Sequence, residues 1–268
     1  NGDVSQPRDL KVKELQFGHI AIDPTKPIAD FDARGFNWKY LAGEMAWYLK
    51  KDRDVDYIGQ FSGFWSNITN PNTNEINSNY GSLVFNKEQF GWAVDSLLKD
   101  KNSRQAIMFF NQPKFQFEGN KDFVCTMYMN FYIRDNQLNM KVQMRSNDIF
   151  YGLTFDAPFS SFVYQHVLLQ LQVTYPELET GTYYHCADNI HFYERHFELA
   201  DKIKNERALN RTIELKVKAP LFTITNSAPY YNITETGKAY INEVDMLAKN
   251  PDATQADYKE LLHKYILV

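Results

Sequence analysis

Cys125 stands in the stretch Phe123-Val124-Cys125-Thr126, and Arg145-Ser146-Asn147-Asp148 begins twenty residues later. The thiolate is the nucleophilic form of cysteine, and a nearby guanidinium favours it over the thiol. Arg145 and Ser146 together suit a phosphate, one as a forked cation and the other as a hydroxyl donor. Glu44 lies within Leu41-Ala-Gly-Glu-Met-Ala-Trp47. A carboxylate buried there would hold its proton to unusually high pH, as general acid–base chemistry requires. The alternative is an exposed stripe of that helix, which the helix pattern taken alone favours. His185, His191 and His196 are spaced by six and five residues, which matches no common zinc pattern, so no metal is expected. His191 and Tyr193 share strand parity and can address one ligand. There is no glycine-rich phosphate loop and no Ser-His-Asp motif, so triphosphate chemistry and acyl transfer lack support.

The elements that carry these groups can be read from periodicity. Residues 138–144 alternate strictly between apolar and polar, the mark of a strand with one buried face. The aromatic-rich run 124–133 precedes it, and Asp135-Asn136 can supply the positive φ angles of a two-residue hairpin turn. This turn pairs Arg134 with Gln137 and places Cys125 opposite Ser146 at the hairpin's open mouth. Met127, Met129, Phe131 and Ile133 then face the core, while Thr126, Tyr128, Asn130 and Tyr132 face outward. Strict register leaves Arg145 on the face opposite Cys125. If both serve one site, a bulge is needed near 124–126 or 144–146. Local geometry alone favours a packing cysteine over a nucleophile.

Elsewhere, helices are predicted over 36–51, 88–100 and 159–176, the last ended by a proline. Strands are predicted within 104–112 and 181–193, a loop over 67–79, and short helices within 244–266. Helices packed on a mostly antiparallel or mixed sheet in one α+β domain, 1–268, is the expected architecture. The 268 residues are 44% hydrophobic, 23% charged and 15% aromatic, with a formal net charge of −4. That balance gives no general pull toward nucleic acid, and no apolar run approaches the length of a membrane span. Two cysteines make no disulfide framework, so a reducing cytoplasm is the expected setting.

The ordered set of short motifs resembles the thymidylate synthase family. It comprises Phe17-Gly-His19, Gly43-Glu-Met-Ala-Trp-Tyr-Leu49, Phe64-Trp65, Asn79-Tyr-Gly81, Ser103-Arg-Gln105, Cys125, Arg145-Ser-Asn-Asp148 and His191-Phe-Tyr193. The resemblance covers roughly residues 8–200, and the tail beyond about 210 resembles the family poorly. Glu75–Gly81, Ser103–Met108, Phe123–Asp135 and Met144–Gly152 look most like the branch of phage deoxycytidylate hydroxymethylases. The chain departs from ordinary family members at Val124, Thr126 and Met144, where they carry Pro, His and Gln. It departs again at Asp156. The family's Gly-Leu-Pro-Phe-Asn reads here as Gly152-Leu-Thr-Phe-Asp156. An Asn amide satisfies uracil, with its N3–H and O4. A carboxylate instead accepts from the cytosine amino group and faces uracil O4 acceptor to acceptor.

The resemblance implies a mechanism. Cys125 adds to C6 of a pyrimidine nucleoside monophosphate, and C5 then attacks the one-carbon unit of 5,10-methylenetetrahydrofolate, a cosubstrate. Glu44 moves protons through water, with Tyr80 beside the base and Asp156 reading it. Arg145, Ser146, Arg104 and, more weakly matched, Arg8 would hold the phosphate. His191 and Tyr193 would bond the sugar hydroxyl, and Asp148 and Trp65 would meet the folate. In the family the residue at Arg104 comes from the partner subunit, which implies a homodimer paired through the sheet face. Conversion of dCMP to 5-hydroxymethyl-dCMP is the expected reaction. Methylation of dUMP or dCMP, hydroxymethylation of dUMP or CMP, and a nucleotide-binding homologue without turnover remain open.

Overall fold

The computed structural model describes residues 2–70, 73–206 and 212–268. In chain order the elements are β1 (Asp3–Ser5), β2 (Val12–Ile22), β3 (Ile28–Ala29), α1 (Trp38–Lys50), α2 (Val55–Gly59), α3 (Tyr80–Val84), α4 (Trp92–Lys99), β4 (Ile107–Phe109), β5 (Thr126–Arg134) and β6 (Gln137–Met144). They continue with β7 (Asn147–Asp148), α5 (Leu153–Gln172), β8 (Glu179–Tyr193), α6 (Phe197–Asn205), β9 (Thr212–Ile213), β10 (Phe222–Ile224), β11 (Tyr231–Ile233), α7 (Glu235–Lys249) and α8 (Gln255–Tyr265). The main sheet has the order β1-β2-β8-β6-β5-β4, with β7 added beside β8. Its pairs are antiparallel except β6–β8 and β7–β8, which are parallel. This is the mixed, mostly antiparallel α+β arrangement that the sequence predicts.

Long, nearly continuous apolar stretches make α1 and α5 interior helices. Asn37 caps α1 by accepting from the Tyr40 amide, and Lys51 closes it in the left-handed region at φ 58°. Residues 41–49 of α1 are all buried. The helix has no exposed stripe because α3, α7 and α8 pack around it. Glu44 is therefore inside, at 5% exposure, against the expectation from the helix pattern. The helix predicted over 159–176 begins six residues earlier, at Leu153, which brings Asp156 into its first turn. The helix predicted over 88–100 has its regular part at Trp92–Lys99, and the strand predicted within 104–112 shrinks to Ile107–Phe109.

The residues beyond 210 are built into the same core. The Tyr240 hydroxyl donates to the Ala42 carbonyl of α1 at 2.9 Å. Ile266 and Leu267 are fully buried, and Leu267 bridges to Leu215. On the face of the sheet away from α5, cross-strand pairing sets Phe109, Tyr128, Gln143 and Cys186 in a row, with Tyr184 beside Lys141. Phe109 and Tyr184 are about half exposed there. Among the described residues no helix is long and apolar enough to cross a membrane.

Candidate active site

The hairpin supplies the cysteine. Asp135 and Asn136 take φ of 52° and 58°, as the predicted turn requires. The predicted register holds from Arg134–Gln137 to Tyr128–Gln143, then slips by one so that Thr126 faces Met144. Met127 is the extra residue of a bulge. The Arg145 amide bonds the Cys125 carbonyl at 3.0 Å, so Cys125 lies opposite Arg145 and not Ser146. The slip also reverses parity beyond the bulge. Thr126, expected outward, is buried at 2% exposure, and Met127 is only half-buried. Arg145 Nη2 now reaches Cys125 Sγ at 3.3 Å, while Nε donates to the Val124 carbonyl at 3.2 Å. The bulge thus brings guanidinium and thiol to one place.

The segment before the cysteine is anchored by Asp122. Its carboxylate accepts from the Ser78 amide at 2.8 Å and from the Ser78 hydroxyl, and the Asn77 side chain donates to the Asp122 carbonyl at 3.0 Å. These bonds tie the cysteine segment to the residues leading into α3. Asn79 fixes α3 in turn, donating to the Trp47 and Asp52 carbonyls at 3.0 and 2.7 Å. A Cβ on Gly81 would stand 1.8 Å from the Tyr48 carbonyl oxygen, so only glycine permits this approach of α3 to α1. Tyr80 consequently stacks on Tyr48, 5.6 Å between centroids, and accepts from Thr126 Oγ1 at 3.1 Å.

Glu44 sits at the centre of this aromatic group. Its Oε1 accepts from Tyr40 and Tyr48 at 2.8 and 3.0 Å, one helical turn to either side. Trp65 Nε1 donates to the Tyr40 hydroxyl at 3.1 Å. Glu44 Oε2 is buried with no partner among the described residues. Burial pushes the Glu44 carboxyl from the ordinary 4.5 up to about 8, against the Tyr40 donor and with help from the Asp156 charge. A group poised there can hold or release a proton near neutral pH.

Asp156 projects from the first turn of α5 and accepts from Asn147 Nδ2 at 2.7 Å. Burial raises its carboxyl to about 7, the Asn147 donor opposes the rise, and the Asp148 charge adds to it. Gly152 leaves room for the contact, since a Cβ there would lie 2.6 Å from Asn147 Nδ2. Asp148 Oδ1 accepts from the Phe150 and Tyr151 amides, both at 2.6 Å, and its Oδ2 is buried with no partner among the described residues. Pairing of β7 with β8 sets Asp148 beside His191. His191 Nδ1 lies 2.9 Å from Asn189 Oδ1, and Asn189 Nδ2 donates to Glu14 at 2.7 Å. An amide oxygen only accepts, so His191 Nδ1 carries the proton. Ser146 Oγ is 3.5 Å from the same nitrogen, and the Tyr193 ring stands edge-on to His191 at 5.4 Å.

Cys125, Arg145, Glu44, Tyr80, Asp156, Asp148, Ser146, His191, Tyr193 and Trp65 are thereby linked through shared contacts into one region. Arg104 stays apart. It is exposed on the loop before β4; extending the β4–β5 register past its last pair, Ile107–Asn130, brings it near the level of Ile133, and the nearby Asn102 carbonyl accepts from Arg134 Nη2 at 3.4 Å at the hairpin's turn end. Eight residues of strand separate that level from Cys125, roughly 25 Å. Arg8 lies in the one-turn helix Pro7–Asp9, and its side chain is outside the described part of the structure. Sequence reasoning missed Tyr40 and Tyr48, though i±4 spacing about a buried Glu would have found them. It also missed Asp122, Asn147 and His185, whose partners lie far off in sequence. Arg34 was missed as well. It donates to the Phe150 carbonyl at 2.5 Å beside the Asp148 loop. Among the described residues no group of three His, Cys, Asp or Glu side chains could hold a metal.

A family model described as thymidylate synthase matches residues 20–233. The deoxycytidylate 5-hydroxymethyltransferase of Enterobacteria phage T6 is 31% identical over 206 residues, covering 72% of this chain and 83% of the relative. The deoxyuridylate hydroxymethyltransferase of Bacillus phage SP01 is 27% identical over 207 residues, covering 72% of this chain and 53% of the relative. A thymidylate synthase of Buchnera aphidicola is 24% identical over 189 residues, covering 67% of this chain and 69% of the relative.

Proposed function

The chain belongs to the thymidylate synthase family of one-carbon transferases, and we propose that it converts dCMP to 5-hydroxymethyl-dCMP with methylenetetrahydrofolate as cosubstrate. The observation that carries this choice is Asp156, a carboxylate in the first turn of α5 within the cluster of Glu44, Tyr80 and Cys125. Ionised, it accepts from the cytosine 4-amino group and opposes uracil O4. Mismatch of buried polar groups discriminates by several factors of ten.

The remaining side chains take the following parts. Cys125, with Arg145 at its sulfur, adds as thiolate to C6 and makes C5 nucleophilic. Glu44 exchanges protons at C5 through its free Oε2, the two tyrosines having fixed Oε1. Arg145 and Ser146 bind the phosphate, and His191 with Tyr193 the sugar hydroxyl. The partnerless Asp148 Oδ2 suits the N–H groups of a pterin, and Trp65 lies across Tyr40 from Glu44. The bound folate supplies the one-carbon unit at the methylene oxidation level. The whole chain, 1–268, is read as one catalytic domain, since a single buried cluster runs from Ile28 to Leu267. A homodimer is proposed through the sheet face that presents Phe109, Tyr128 and Tyr184, because Arg104 lies too far from Cys125 to serve the same chain's site.

The test is direct. Incubate the protein with dCMP or dUMP and methylenetetrahydrofolate, and identify the nucleotide product by mass. Hydroxymethyl-dCMP is expected. A methylated product overturns the hydroxymethyl outcome, and a preference for dUMP overturns the role of Asp156.

A further inference from the structure

Behind Asp156 lies a buried relay from a different part of the sheet. Asn147 is 4% exposed, and its Nδ2 donates to Asp156 Oδ2 at 2.7 Å. Its Oδ1 lies 3.1 Å from Nε2 of His185, which is fully buried on β8. Tyr183 OH lies 2.7 Å from the other nitrogen, His185 Nδ1. Nothing in the chemistry assigned above uses His185 or Tyr183.

The directions of these bonds follow from the groups. The Asn147 oxygen can only accept, so His185 Nε2 must carry the proton. Burial depresses His185 to about 4, so the ring is neutral and Nδ1 is bare. The bare nitrogen accepts from the Tyr183 hydroxyl. Three donors therefore point the same way: Tyr183 to His185, His185 to Asn147, Asn147 to Asp156. Such a chain is mutually reinforcing in a low-dielectric interior and ends on a carboxylate, whose charge it favours. Reversing the amide would set its oxygen against Asp156, tolerable only while Asp156 holds a proton.

Protonation matters for base choice. Asn147 holds Oδ2, which leaves Oδ1 to meet the 4-position of the base; with a proton on it, Oδ1 can donate to uracil O4, and with the proton turned away it can accept from the cytosine amino group. The ionised carboxylate only accepts, and it faces uracil O4 unfavourably. Discrimination therefore belongs to the ionised form. We propose that His185, with Tyr183 behind it, is a positioning residue for base selection: it pins the Asn147 amide so that Asp156 is presented to the pyrimidine as an ionised acceptor. This rests on dCMP being the substrate. Other ionisable groups also face Asp156 and set its baseline: Glu44, Tyr40 and Tyr48 from α1, Tyr80 from α3, Tyr183 from β8 and Asp148 from β7.

The experiment compares wild type with His185→Phe, His185→Gln and Tyr183→Phe. Two quantities are read: the ratio of kcat/KM for dCMP over dUMP, and the pH at which that ratio climbs. Wild type should favour dCMP increasingly as pH rises through Asp156's titration. His185→Phe should lower the ratio about tenfold, the scale of one hydrogen bond to a charged group, and move the climb to higher pH. His185→Gln, whose amide keeps a donor, should recover much of the ratio, and Tyr183→Phe should give a smaller loss. Calorimetric affinities for the two nucleotides, measured without folate, should follow the same order. If wild type prefers dCMP but His185→Phe and Tyr183→Phe leave ratio and pH midpoint unmoved, His185 is only a packing residue and its role is overturned. If His185→Phe does not fold, Tyr183→Phe, which removes one oxygen, decides alone. A wild type that prefers dUMP overturns the substrate assignment itself, and the role of His185 with it.

Discussion

Replacing Glu44 by Gln should make the protein more stable while disabling it. Gln copies the protonated carboxyl: its Oε1 can accept from Tyr40 and Tyr48, and its amide occupies the place of the partnerless Oε2. The difference between the two proteins is the cost of protonation. In the folded chain Glu44 holds its proton to about 8, and the ordinary value is 4.5. Between those values the unfolded chain has lost the proton and the folded chain has kept it, so stability falls as pH rises. At one pH unit per about 1.36 kcal/mol, the 2.5 units between 4.5 and 7 amount to about 3 kcal/mol. Below pH 4.5 both states are protonated and the cost vanishes. Above about 8 it is complete and stops growing. Glu44→Gln avoids it and should be about 3 kcal/mol more stable than wild type at pH 7, with near equality at pH 4.5. For a chain of this size that corresponds to a Tm higher by roughly 6–12 °C. The assay is urea unfolding of both proteins, free of ligand, at pH 4.5, 6, 7 and 8. A stability difference that does not grow with pH, or a less stable variant at pH 7, would refute a proton-holding Glu44. Turnover should fall at least about a hundredfold, the usual scale for loss of a general acid–base group.

The other substitutions separate binding from chemistry. Cys125→Ala should abolish turnover and leave dCMP affinity within a few fold by calorimetry; retained turnover would remove Cys125 as nucleophile. Asp156→Asn should shift preference toward dUMP in paired kcat/KM measurements, and an unchanged preference means the base is read elsewhere. Gly81→Ala should cost about 3 kcal/mol or more in urea unfolding, because its Cβ would meet the Tyr48 carbonyl at 1.8 Å and force α3 off α1.

Much of the fold was legible because the relevant signals are local. The period of two over 138–144 and the Asp135-Asn136 turn located the hairpin and most of its register. The bulge was legible only as a need, since Met127 is as apolar as Met129 and nothing in composition marks the extra residue. Burial of Glu44 was illegible from its own helix, because whether a stripe is exposed depends on what covers it. The cover over the Glu44 face comes from Trp65, Tyr80 of α3 and Asp156 of α5, which meet Glu44 or its tyrosine partners and whose approach the periodicity of α1 does not reveal. The proposed site residues were picked out through ordered motifs, and the folded chain adds the partners that those motifs do not name. Asn147 meets His185 across 38 residues of sequence, and Ser78 meets Asp122 across 44. Pairs so distant leave no periodic trace in a single sequence.

The packing of Tyr240 on the Ala42 carbonyl joins points 198 residues apart and has a bearing on synthesis. At 5–20 residues per second, α1 leaves the ribosome roughly 10–40 s before α7 can reach it. During that interval the α1 face that Tyr240, Gln255 and Lys259 meet in the finished chain, Trp38 included, has no rear wall. A nascent chain halted before residue 235 is expected to leave Trp38 open to a fluorescence quencher that the finished protein excludes; equal protection of Trp38 in both would contradict this. The helix that carries Glu44 thus gains its last wall only when the C-terminal helices arrive.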